Sequence, residues 1–229
     1  MKKIVLITSI LFVFKSFSQE VKRKFRPLLW TTHSKNTDIL GVSVGILPKE
    51  IFKDSALTKT FGIRVEAPGL GLLLPLAPRS PISKTNQEFQ NKLSKKPTEI
   101  VYGINISSGS MASTRINGLS SAFIGQYLIK ENGISAAIVG NIIEQQNGVA
   151  VSLMGNNTYI TNGIMVGFIG NNSTYVNGIQ LGSFNDSKNL SGIQIGISNK
   201  TKNSKGLQIG LWNKNEKRSL PFINWNFKS

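Results

Sequence analysis

The chain has 229 residues, of which 22 are glycine and 17% are charged, with a formal net charge of +16. That charged share is below the roughly 25% of ordinary globular domains and argues against a disordered tail or a coiled coil. Cysteine is absent and His33 is the only histidine, which excludes a disulfide framework, a thiolate zinc site and a multi-histidine metal centre.

Residues 1–18, MKKIVLITSILFVFKSFS, predict a cleaved export signal. Lys2 and Lys3 precede an apolar run from Ile4 to Phe14, and Ser16-Phe17-Ser18 forms a small-x-small site before Gln19. The run is shorter than the roughly 20 residues needed to span a bilayer as a helix. Without Lys2, Lys3 and Lys15, 24 basic residues against 11 acidic leave a charge of +13. Export without cysteine fits a Gram-negative envelope or surface better than a disulfide-stapled secreted mini-protein.

Residues 19–99 read as a divergent β region. Lys22, Arg23, Lys24, Arg26 and Lys35 make its start basic. Gly41-Val42-Ser43-Val44-Gly45-Ile46-Leu47 then introduces a motif that Gly62-Ile63-Arg64-Val65-Glu66-Ala67 resembles. The apolar run Gly69 to Leu76 predicts a strand, buried or lipid-facing. Residues 77–98, with Pro78, Pro81 and Pro97, predict a loop containing a short helix over Asn86 to Leu93.

From residue 100 onward a repeat dominates. It runs glycine, apolar, variable, apolar, small, apolar, apolar, then Gly or Asn, starting at Gly103, Gly118, Gly133, Gly148, Gly163, Gly178, Gly192 and Gly206. The second, fourth and sixth columns are branched or aromatic, as in Ile193, Ile195 and Ile197, and predict one β-strand face. The fifth column, Ser107 through Gly210, is small in every copy, so something packs closely over that side. Gln180, Gln194 and Gln208 share the third column and predict a stacked amide ladder. Asn185, Asn199 and Asn213 end their copies and predict turns of positive φ.

Two architectures accommodate this pattern. In a β-solenoid each repeat is one coil, eight coils stack into a rod of about 38 Å, and the apolar columns, Ile195 among them, are buried. In a small outer-membrane up-and-down barrel each repeat is one strand, with the apolar columns toward lipid and Gln, Ser and Gly toward the lumen. Connectors of equal length favour the solenoid, because barrels alternate short turns with long loops. The aromatic closing segment Leu220 to Phe227 fits the last strand of a barrel or an aromatic cap on a final coil.

The copies Gly192-Ile193-Gln194-Ile195-Gly196-Ile197-Ser198-Asn199 and Gly206-Leu207-Gln208-Ile209-Gly210-Leu211-Trp212-Asn213 resemble the G-(L/V/I)-Q-I-G-L-(I/W)-N units of a bacterial surface repeat-containing protein family. The likeness covers roughly residues 100–227 and is most specific from 178. Earlier copies depart from it, with Ser, Ala or Met in place of Gln. The resemblance implies an exported, surface or outer-membrane protein and carries no catalytic residues.

Individual residues add little chemistry. Gly41-Val42-Ser43-Val44-Gly45 matches a nucleophile-elbow pattern but lies inside a strand repeat, where a structural role is favoured. Gly69-x-Gly71 lacks the third glycine of a dinucleotide loop. His33 reads as a turn residue, and the acidic residues are scattered singly. Arg64 and Glu66 share a strand face, a lumen pair in a barrel and a surface pair in a solenoid. Lys188, Lys200, Lys202, Lys205, Lys214, Lys217 and Arg218 lie in the late connectors. On stacked turns they form a stripe for lipopolysaccharide phosphates or an acidic glycan, or, the favoured reading, solvated turns. The expectation is a non-enzymatic exported module of structural or ligand-display type, without cofactor or metal. It would sit at the outer membrane or cell surface of a Gram-negative bacterium and make no nucleic-acid contact. The alternative is a barrel acting as a pore or passive envelope component.

Overall fold

The computed structural model describes residues 22–52, 55–76, 80–111 and 113–227. The predicted export signal, residues 1–18, lies outside them. The chain is a β-solenoid of about twelve turns. The described residues form one sheet of twelve strands in strict chain order. These are β1 (Lys24–Thr31), β2 (Thr37–Gly45), β3 (Thr58–Glu66), β4 (Glu99–Ser107), β5 (Thr114–Ala122), β6 (Gly125–Ala137), β7 (Gly140–Ser152), β8 (Gly155–Gly167), β9 (Gly170–Leu181), β10 (Phe184–Ile195), β11 (Ser198–Lys214) and β12 (Ser219–Asn226). Every pairing from β1 to β11 is parallel, and β12 returns antiparallel to β11. The strand order runs from β1 to β12 without closing on itself, so the barrel alternative is overturned. The aromatic segment caps the last coil.

Repeat glycines define the register. Gly41, Gly62, Gly103, Gly118 and each later repeat glycine up to Gly206 lie opposite one another from coil to coil. The early copies therefore belong to the same stack, and the rod is longer than eight coils. Gly163 shows why the column is invariant. Its φ is +141°, and a Cβ there would stand 2.0 Å from the Gly148 carbonyl oxygen. Leu28 takes the place of glycine on β1, with φ 69°, where no earlier coil lies among the described residues.

Between β3 and β4 the chain leaves the stack. The apolar run expected as a strand is instead a 3-10 helix, Leu70–Leu76. Because Thr58 already pairs with Glu99, no ladder position is open to it. Helix α1 (Asn86–Ser94) follows, where a short helix was expected. Its Thr85 cap accepts from the Glu88 amide at 3.2 Å, and Glu88 accepts in turn from the Lys84 amide. Phe89 is buried and stacks on Tyr159 at 4.6 Å, while Lys92, the Tyr127 hydroxyl and the Ser83 amide converge on the buried Glu144 carboxylate.

The solenoid is polar inside. A purely apolar cluster, Val101, Ile116, Leu128 and Ile143, occupies only the coils around β4 to β7. Beyond it the interior is filled by amides. Gln126, Asn141, Asn156, Asn171, Asn185, Asn199 and Asn213 donate one to the next in an unbroken ladder at 2.7–2.9 Å. From Asn141 to Asn199, each amide nitrogen also donates to a backbone carbonyl ten residues onward, as Asn171 does to Leu181. Asn185, Asn199 and Asn213 thus serve as buried rungs and not as positive-φ turn residues. The second ladder, Gln180, Gln194 and Gln208, holds at 2.7 and 2.8 Å, as the third column predicts. Planar amides stack at the strand spacing while saturating their own donors, so a polar interior is stable here.

The small fifth column faces these rungs. A Cβ on Gly196 or Gly210 would come within 2.8 Å of the Asn185 or Asn199 amide nitrogen. Side chains alternate along a strand, so inward third and fifth columns force the second, fourth and sixth outward. The expected burial of Ile195 is therefore reversed: Ile195 is 40% exposed, whereas Gln194 is fully buried.

Candidate functional site

Turning the apolar columns outward creates the dominant surface of the molecule. Ile104, Ile134, Val151, Ile195 and Ile209 are more than a third exposed along the second and fourth columns. The sixth column projects furthest, with Phe123 at 67%, Leu153 at 63% and Phe168 at 77% exposure. At the end of the rod, β12 extends the face, setting Trp225 beside Leu207 and Ile223 beside Ile209. Across the second, fourth and sixth columns from Val42 to Leu211, no outward residue is charged.

Twelve strands at about 4.8 Å and three columns over about 16 Å give a footprint on the order of 850 Å². Soluble monomers rarely leave an apolar patch of more than a few hundred Å² open to water. A border of neutral amides runs along one side of it: Asn117, Asn132, Asn147, Asn162 and Asn177 donate one to another at 2.6–2.9 Å.

The seven basic residues singled out from the sequence are exposed, and the register of β10 with β11 sets Lys202 beside Lys188. Lys200 is in register with Asp186 and Lys205 with Ser191. Arg218 donates to the Asn224 side chain and the Trp225 carbonyl and lies 4.5 Å from the Trp225 ring centre, so it clamps β12. Lys217 donates to Asn226 on the same strand. The basic residues that do converge were not singled out. Lys92, Lys95, Lys96 and Arg115 surround a cleft of about 310 Å³ beside α1, with Tyr127 and Ile129 on its wall. Arg115 reaches it by donating to the Leu93 and Lys95 carbonyls at 2.8 and 3.0 Å. The helix that assembles this cleft is inserted far from Arg115 in sequence, so no local spacing announces it.

Several candidate motifs are structural. Ser43 is fully buried and accepts from the Thr60 hydroxyl at 2.8 Å, an interior rung and not a nucleophile on a strand–helix turn. His33 packs edge-on against Phe52 at 5.0 Å. Arg64 and Glu66, expected at the surface of a solenoid, are buried inside it. Arg64 bonds Glu66, Glu99 at 2.6 Å, Asn105 at 2.9 Å and Ser110 at 3.2 Å. Burial opposes its charge, yet Glu99 and Glu66 outweigh that and hold the guanidinium protonated. Burial raises the Glu66 carboxyl against the pull of Arg64. The same inward column carries Ser135, and the neighbouring inward column carries Glu131 and Gln146. All three are buried, and their polar atoms make no well-formed hydrogen bond among the described residues. Burial pushes the Glu131 carboxyl up to about 8, an effect the nearby Ser135 hydroxyl only partly offsets.

No group of three or more potential metal-ligating side chains occurs among the described residues. Neither a protein-family model, nor a curated protein, nor a solved structure matches this chain.

Proposed function

We propose that this chain is an exported repeat protein of the envelope or cell surface of a Gram-negative bacterium, acting as a non-catalytic scaffold. One side of the solenoid docks on an apolar partner, and the remaining sides display polar and basic groups. The observation that carries this reading is the charge-free apolar face, which water disfavours and an interaction relieves. The interior polar groups, Arg64 and Glu99 included, are sealed from solvent and serve the stack. The residues of the amino-terminal segment support export, and the repeat units support a surface or outer-membrane location by resemblance. On the display side, the cleft beside α1 offers cations around an aromatic wall, which suits an acidic glycan or a lipopolysaccharide phosphate.

The test follows a tagged full chain in a Gram-negative host. The expected result is recovery from the envelope in a gentle extract, migrating as a species larger than the 25.0 kDa chain. Combined Ile134→Ser, Val151→Ser and Ile195→Ser changes should abolish the larger species. Cytoplasmic retention, or migration unaffected by the triple change, overturns the proposal.

A further inference from the structure

We infer that the occupant of the apolar face is the same face of a second copy, packed as a two-fold dimer; this rests on the docking reading above. The face is corrugated with the period of the coil stack, about 4.8 Å. Seating its rows of Ile, Val and Leu requires a partner of the same period, which another copy supplies by construction. The footprint, on the order of 850 Å², equals what each side of a stable protein interface buries. Two sheets packed face to face at about 10 Å exclude water from all three columns.

The fourth column fixes the alignment. It is branched in most coils but falls to Ser121 and Ala136 in β5 and β6, leaving a shallow depression of about 220 Å³ bordered by Val151 and Leu153. Maximal overlap of twelve strands puts the two-fold axis between β6 and β7. Ala136 then lies against Val151 of the partner subunit, and Ser121 against Val166 of the partner subunit. Small residues meet branched ones on both sides of the axis, the self-complementarity that an isologous contact demands.

The borders favour protein over lipid. A surface that rests on a bilayer carries lysine or arginine along its rim to reach headgroups. Along β5 to β9 the rim is the Asn117–Asn177 row, neutral and already hydrogen-bonded to itself, and the row carries a lysine only at its far end, where Lys205 follows Ser191. The lysines of β10 and β11 occupy none of the three apolar columns, so closing the face sets no two of them against each other within those columns.

Light scattering on the exported, detergent-free chain at micromolar concentration tests this. The expected mass is twice that of one exported chain, falling to that of a single chain in Ala136→Lys/Val151→Lys with circular dichroism unchanged. Because the chain has no cysteine, Ala136→Cys introduces a single thiol beside the axis, and a short bismaleimide should link it into dimers while Lys202→Cys stays unlinked. This second variant reads the contact even where the lysine pair fails to fold. A monomeric wild type overturns the second-copy inference, most pointedly if it floats with phosphatidylcholine vesicles, and leaves the docking reading standing. A dimer indifferent to both changes overturns the use of this face altogether.

Discussion

Glu131 offers a quantitative test of the polar interior. Its carboxyl is fully buried between Ile116 and Gln146 in the stack, and neither oxygen makes a well-formed hydrogen bond among the described residues. Burial raises it from 4.5 to about 8. Between those values the unfolded chain releases the proton and the folded chain keeps it, so stability falls as pH rises across that window and levels off above it. At pH 7 the cost is about 3 kcal/mol, from 1.36 kcal/mol per pH unit over about 2.5 units. Glu131→Gln preserves the shape, removes the titration and places an amide in register with Gln146, as in the Gln180 ladder. The two proteins should match near pH 4.5, and the variant should gain about 3 kcal/mol by pH 7. Urea unfolding followed by circular dichroism at pH 5, 6, 7 and 8 reads this directly. Comparing the pair also cancels the contribution of Glu66, which titrates identically in both. Stability curves that run parallel across the range would refute the reasoning.

Four further outcomes follow from the same geometry. Gly163→Ala, with a Cβ driven against the Gly148 carbonyl, should cost about 2–4 kcal/mol in chemical denaturation. Asn171→Ala strands the Asn156 donor and the Asn185 and Leu181 acceptors and should cost about 3–5 kcal/mol, whereas Asn177→Ala on the outer border should cost under about 1 kcal/mol. Ile195→Lys, on the outward column, should leave the isolated coil stack folded with a change in melting free energy within about 1 kcal/mol; loss of folding would place Ile195 inside. Lys95→Glu/Lys96→Glu should weaken binding of a polyuronate at least tenfold and flatten its salt dependence, measured by calorimetry at two ionic strengths.

The repeat and the amide ladder were legible because both are column properties. An invariant glycine at 14- or 15-residue intervals needs no knowledge of what surrounds it, and Gln180, Gln194 and Gln208 fall at one position of that period. Which face turns inward was not legible, since period-two alternation is unchanged when in and out are exchanged. Burying Ile195 followed the usual preference of apolar residues for the interior. The third and fifth columns instead carry the amides and the small residues they pack against, and Gly182, Gly196 and Gly210 were the signal that amides pack there. The run Leu70–Leu76 read as a strand because apolar composition does not distinguish strand from helix; only the direct pairing of β3 with β4 does. Arg64 and Glu66 gave no sign of burial because the second carboxylate on Arg64, Glu99, enters from the far side of the insertion.

The reversal of β12 has a consequence for how such a chain can lengthen. A parallel coil offers its successor the same edge it received, so a duplicated or deleted repeat in the interior leaves every ladder in phase. The step from 15 to 14 residues after Gly178 shows the tolerance: the missing residue falls in the turn between Leu181 and Phe184, and the rungs on either side stay aligned. An antiparallel strand presents the opposite polarity, with Asn224 opposite Gln208 and Trp225 opposite Leu207. A further coil arriving at that end would run antiparallel to β12 and meet Asn226 where the stack carries its repeat glycine, so the glycine column stops there. The rod is thus a ruler with one fixed end, free to change by whole graduations in the course of evolution but closed to end-to-end growth beyond its last mark.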